Sequence, residues 1–219
     1  DAAGTITIAG AGTSVAVHVT SRTPADVTRA TLTGFAEGDG YVSIEPEHYT
    51  KKTDAGSRRW IRIEDYGRTL SGMRADGPVD VAPATPGTDA PSLEYRMYML
   101  DPGAVTTHLI LAPTLNFMPG RPLQVAVSFD DEAPQTVTVV PAGYNAAGRD
   151  WEASVENNAR TIATPHTLAS AGYHTLKVWM VDPAVVVQKI VVTSNDAAGK
   201  TSYLGPPESY HGTAAARGN

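Results

Sequence analysis

Six histidines, three tryptophans and two short runs of acids carry most of the chemistry available to this 219-residue chain. The histidines are His18, His48, His108, His166, His174 and His211, and no two stand at metal-ligand spacing. His108 and His174 fall inside alternating strand patterns, where a hydrogen-bonded sheet-face imidazole is the ordinary reading. His48 follows Glu47 directly, but one neighbour does not make a constellation. Glu45 and Glu47, at i and i+2 of an alternating segment, put two carboxylates on one face of a strand. Charges that close repel unless something neutralises them, and a hard cation with oxygen ligands would do so. On spacing alone, a solvent-facing strand end accounts for the pair better. Asp130, Asp131 and Glu132 have the residue types of a glycosidase carboxylate pair. Their place between two alternating strands reads instead as a solvated hairpin turn. Among the aromatics, Trp151 lies in a polar loop, Trp60 begins a strand, Tyr66 is in a loop, and Trp179 is out of phase with Leu176 and Val178. Core packing is the ordinary fate of a Trp, and the loop setting of Trp151 makes a ligand platform an equal reading there.

Other chemistries are excluded by residue type. With zero Cys there is no disulfide, thiolate zinc site or Cys nucleophile. No Gly-x-Ser-x-Gly elbow, His-Glu-x-x-His motif or phosphate loop occurs, so an independent hydrolase lacks a nucleophile–base pair. Net charge is −6, which gives no basic footprint and makes nucleic acid a poor partner. No stretch has the length and apolarity of a membrane helix, and no leader-like segment opens the sequence.

The elements that must position these residues read as strands. Gly and Pro, 20 and 16 in number, are scattered as turn formers. Thr5–Ile8 and Val15–Val19 alternate around a Gly-rich turn and form a hairpin, which alone is not a domain. Ser21–Gly34 reads as a linker. Strand patterns then recur at 41–45, 60–63, 93–100, 105–111, 123–129, 135–140, 173–181 and 185–193. A Pro-rich surface loop occupies 74–92, and one short helical piece after a capping Asp150 covers Trp151–Glu156. The expected fold is all-β, an antiparallel β-sandwich, with a barrel as the alternative. The opening hairpin either joins this main body or is the end of a preceding sandwich, and 211–219 read as a tail.

Several motifs, in order, resemble one family: Gly40-Tyr-Val-Ser-Ile-Glu-Pro-Glu-His-Tyr-Thr50, Leu111-Ala-Pro-Thr-Leu-Asn-Phe117, Val127-Ser-Phe-Asp-Asp131, Gly172-Tyr-His-Thr-Leu-Lys-Val-Trp-Met-Val-Asp-Pro183, Val187-Gln-Lys-Ile-Val191 and Tyr203-Leu-Gly-Pro-Pro-Glu-Ser209. They resemble the C-terminal domain of the xylan α-1,2-glucuronidases of glycoside hydrolase family 115. The region is more loosely similar to carbohydrate-binding modules of families 6 and 35. The resemblance implies a jelly-roll, galactose-binding-like sandwich over residues 36–210, residues 1–35 as the end of a preceding sandwich domain plus linker, and a non-catalytic domain of a secreted or periplasmic bacterial enzyme acting on glucuronoxylan. Its partners would be the parent's catalytic domain and a polysaccharide, with no nucleic acid or membrane. It also implies a structural calcium on Glu45, Glu47 and Gln188, with Gln188 standing where those modules carry Asp. The loop-end sugar site of those modules maps onto Trp151 and Asp182, the latter in place of Asn. Asn116, Tyr66 and Trp60 are further sugar-contact candidates. The alternative implied is a structural or dimerisation domain without sugar affinity.

Overall fold

The computed structural model describes residues 1–118, 120–143, 145–194 and 203–212. Its strands are β1 (Ala2–Gly10), β2 (Thr13–Ser21), β3 (Phe35–Ala36), β4 (Tyr41–Ile44), β5 (Lys51–Thr53), β6 (Arg59–Ile63), β7 (Gly72–Asp76), β8 (Ser92–Met99), β9 (Gly103–Leu111), β10 (Leu123–Phe129), β11 (Gln135–Val140), β12 (Arg160–Leu168), β13 (Gly172–Met180) and β14 (Val186–Thr193). One helix, α1 (Arg149–Glu156), lies between β11 and β12.

Two sheets face each other. The first has the order β11-β10-β13-β8-β3, with β5 also on β8. The second has the order β12-β9-β14-β7-β6, with β4 also on β14. All pairings are antiparallel except β3 with β8. Alternate residues of each strand point inward, and Ile44, Leu93, Met97, Leu109, Leu123, Val127, Leu176, Val178, Val187 and Ile190 fill the space between the sheets. This is the expected all-β sandwich. β1 and β2 form a separate hairpin that pairs with neither sheet.

Four strands were not legible in the sequence: β3, β5, β7 and β12. β12 is the longest of them and holds Pro165, which has no N–H to donate. It is tolerated because β12 is the edge of its sheet, paired only with β9. The helix starts two residues earlier than expected. Gly148 is its N-cap, and Asp150 stands inside the first turn, where it pairs with Arg160.

Two details shape the functional regions. The β14–β9 register slips between Val187 and Lys189. This bulge lets Val187 and Ile190 both face the core, while Gln188 and Lys189 turn to the outer face. That face is covered by the 64–71 loop and by the segment 203–212, which we call the strap. Arg68 N–H donates to the Gln188 carbonyl, and Ser43 Oγ donates to the Pro206 carbonyl at 3.0 Å. The strap runs so close that two positions tolerate only glycine. At Gly205, φ is +79° and a Cβ would meet the Lys189 side chain at 3.1 Å. At Gly212, a Cβ would lie 1.9 Å from the Leu32 carbonyl oxygen.

Candidate functional site

The Glu45–Glu47 pair does not share a strand face. β4 ends at Ile44, because Pro46 cannot donate to a ladder and the chain turns, with His48 N–H bonding back to the Glu45 carbonyl at 2.9 Å. The two carboxylates therefore go to different partners. Glu45 is buried, and its Oε1 accepts from Lys189 Nζ at 2.8 Å and from Thr69 Oγ1. Lys189 is itself only 1% exposed and also contacts Thr69. Glu47 accepts from Arg62 at 2.9 Å and from the Ser71 N–H at 3.1 Å. Burial pushes the Glu47 carboxyl up, but the Ser71 N–H and the Arg62 guanidinium outweigh it and hold its pKa below the ordinary value.

These residues do not fit a calcium ion. Calcium takes 6–8 oxygen ligands. Both Glu47 oxygens are engaged, and Lys189 puts a positive charge on one oxygen of Glu45. Gln188 donates its amide to the Tyr66 carbonyl at 3.2 Å. Two buried oxygens remain without a hydrogen-bond partner, Glu45 Oε2 and Gln188 Oε1. Two oxygens beside an ammonium are too few ligands in the wrong field for a dication. The neutralising cation that the acid pair requires is supplied by the chain: Lys189 for Glu45 and Arg62 for Glu47.

A second region is the sandwich end where the connections leaving Leu111, Val140 and Met180 emerge side by side. They do so because Leu111 pairs with Arg160 and with Val187, and Leu123 with Val140. Asp182 lies here, but it is fully buried. Its carboxylate accepts from Arg121 and from the Gln124 N–H at 2.8 Å. Arg121 reaches on to the Val81 carbonyl at 3.2 Å. Asp182 is thus an internal clamp across three loops, and its expected sugar contact is corrected. Asn116 is also consumed. Its amide donates to the Arg121 and Pro141 carbonyls at 2.8 and 3.0 Å, and its Oδ1 accepts from Met118 N–H at 2.8 Å. It ties the 112–122 loop to the start of the helical connection.

Trp60 is corrected as well. It faces inward from β6 at 1% exposure, with its indole N–H toward the Pro91 carbonyl at 3.4 Å. Tyr66 is exposed on the 64–71 loop, its carbonyl accepting from the Gln188 amide, and Arg68 of the same loop donates to the Asn158 carbonyl beyond α1 at 2.9 Å. Trp151 remains partly exposed on α1, at the same end as Asp182 and Asn116. Exposed Leu115 and Phe117 stand on the neighbouring loop that Asn116 anchors, and exposed Val155 follows on the helix. Leu115 and Phe117 escape a reading by periodicity, because single apolar residues in a loop carry no pattern.

The remaining acids and histidines take the roles expected of sheet and turn residues. Asp130 accepts from His174 at 2.7 Å and from Thr175 N–H at 2.8 Å, and Glu132 accepts from Phe129 N–H at 2.7 Å and from His166. Burial lowers the His108 pKa. His48 behaves differently. Its Nδ1 lies 2.8 Å from Glu208 Oε1, and His211 Nε2 lies 3.9 Å from Glu208 Oε2. The sequence separated these residues too widely to pair them.

Two facing sheets, antiparallel in every pairing but β3 with β8, define the chain as an all-β sandwich. The model of the glycosyl hydrolase family 115 C-terminal domain matches residues 34–208, and the chain belongs to that family. Among solved structures the chain is similar to BtGH115A, described as a family GH115 4-O-methyl-α-glucuronidase with specificity for decorated arabinogalactans. Identity is 15% and the TM-score 0.48, over 68% of this chain and 18% of that one. It is also similar to the C-terminal CBM6 of the laminarinase LamC from Zobellia galactanivorans, at 12% identity and TM-score 0.44, over 70% and 98% of the two chains. A family 35 module from Clostridium thermocellum gives 15% identity and TM-score 0.45, over 69% and 97%. The chain spans less than a fifth of the GH115 enzyme. No curated protein matches it.

Proposed function

We propose that this chain is a non-catalytic ancillary domain of a secreted or periplasmic bacterial α-glucuronidase, binding xylan at the end of the sandwich that carries Trp151. The observation that carries this reading is a partly exposed Trp151 on α1, with exposed Leu115 and Phe117 on a loop that Asn116 ties to the start of the helical connection and Arg121 ties to Asp182. A pyranose ring has an apolar C–H face that an indole can cover, and a platform on clamped loops loses little entropy on binding. Asp182 gives the site stiffness rather than a sugar contact, which removes the repulsion that an exposed acid would exert on a uronate. Titration calorimetry with xylo-oligosaccharides, glucuronoxylan and arabinogalactan tests this. Saturable heat with the xylans, weakened at least tenfold by Trp151→Ala, supports it; absence of heat with every glycan defeats it.

A second reading is favoured by the β1–β2 hairpin. Ile6, Ile8, Val15, Val17 and Val19 are all exposed there. Two strands with bare apolar side chains are not stable alone. In this reading the hairpin packs on another domain or a second copy, and the chain serves as a structural joint. Light scattering of the isolated chain, with and without the hairpin, separates the two readings.

A further inference from the structure

We propose that His48, Glu208 and His211 form a binding site for a divalent transition ion of the zinc class. The donor atoms of these three side chains all lie within 4.8 Å of one another. A tetrahedral zinc with nitrogen and oxygen ligands at about 2.0–2.2 Å needs ligand atoms about 3.3 Å apart. The observed separations of 2.8 Å (His48 Nδ1 to Glu208 Oε1) and 3.9 Å (His211 Nε2 to Glu208 Oε2) bracket that value. Small side-chain shifts convert the present hydrogen bond into two coordinate bonds.

The donor set selects the metal. Two imidazole nitrogens and one carboxylate suit zinc and its neighbours, whereas calcium and magnesium ask for oxygen alone. His48 and Glu208 are about one-fifth exposed and His211 about one-third, so an ion can enter and water can fill a fourth position.

The surroundings hold the donors in place. Glu208 Oε1 accepts from the Glu45 N–H at 3.0 Å, which orients the carboxylate. His211 Nδ1 faces the Gly212 carbonyl at 3.5 Å, leaving Nε2 directed at Glu208. The His211 ring lies against Phe35, edge-on at 5.4 Å between centroids, and against the His48 ring at 5.4 Å. The backbone of the strap is fixed on both sides of His211, by Ala36 N–H to the Tyr210 carbonyl and Gly212 N–H to the Gly34 carbonyl, both at 2.9 Å. One ligand follows β4 in the second sheet, and two come from the strap that also bridges to β3 in the first. A metal here staples the closing strap to the sandwich.

The test uses the untagged chain, stripped with chelator and titrated with zinc chloride, with calcium chloride as the comparison. We expect one zinc per chain by calorimetry and no response to calcium. A melting-temperature rise of roughly 5–10 °C is expected at about a hundredfold excess of zinc over Kd. Cobalt chloride should give the visible absorption of a four-coordinate ion. His211→Phe keeps the ring packing and removes the nitrogen, and His48→Gln keeps a donor to Glu208. Each should weaken zinc binding at least tenfold while leaving the metal-free fold intact by circular dichroism. No zinc binding by the parent chain overturns the proposal, as does undiminished binding in both variants.

Discussion

The strap face and the Trp151 end use the same device, a buried carboxylate paired with a cation, to opposite effect. Under the strap, Glu45 is sealed with Lys189 and Thr69, and both ions are removed from water. At the Trp151 end, Asp182 is fully buried but its partner Arg121 keeps about one-quarter of its side chain in solvent. The first arrangement closes the outer face of a central strand. The second clamps three loops at the end that carries the partly exposed Trp151. A buried acid is therefore a poor sign of a ligand site in this fold; what matters is which neighbours it frees.

The largest expected effect comes from breaking the sealed pair. Lys189→Met should cost about 3–5 kcal/mol, because it strands a buried carboxylate. The double change Glu45→Gln with Lys189→Met should recover most of the loss, as read by urea unfolding. If the single change is nearly neutral, the two regions do not differ as described. Asp182→Asn should cost about 1–3 kcal/mol, since Arg121 loses its charge partner but keeps partial hydration. Xylan affinity should fall with it only as far as the loops loosen, whereas Trp151→Ala should abolish measurable affinity while costing less than about 1 kcal/mol of stability. A larger loss of affinity from Asp182→Asn than from Trp151→Ala would return Asp182 to the binding surface.

The smallest effect concerns acid. Glu47 has a folded pKa below its ordinary value of 4.5, so its contribution is present above the unfolded pKa and fades as pH falls through the folded one. A Glu47→Gln variant should thus have lower stability than the parent at neutral pH, with the gap closing below about pH 4. Thermal melts across pH 3–7 in metal-free buffer check this. A gap that widens toward acid would contradict the Arg62 and Ser71 assignment. Calcium should not change the melting temperature, because Lys189 holds the position a dication would need; a rise with calcium would reopen Glu45 Oε2 and Gln188 Oε1 as ligands.

Reading the sequence identified most of the long strands and the core residues on them, because a two-residue period records burial directly. β12 escaped it, since an edge strand needs little apolar content and tolerates Pro165. The motif residues around Glu45, Gln188 and Asp182 were legible as a group. Their roles were not, because a motif names residue types and cannot say which cation will stand beside them.

Residue pattern alone determined the all-β class, the short strands and turns, and the lack of any disulfide. Tertiary structure decided the long-range pairings of charge. A one-residue bulge in β14 turned Lys189 toward Glu45, and the crossing of the strap brought Glu208 and His211 to His48. Both depend on contacts between segments far apart in the chain. Such contacts are set by packing geometry, on which local periodicity is silent.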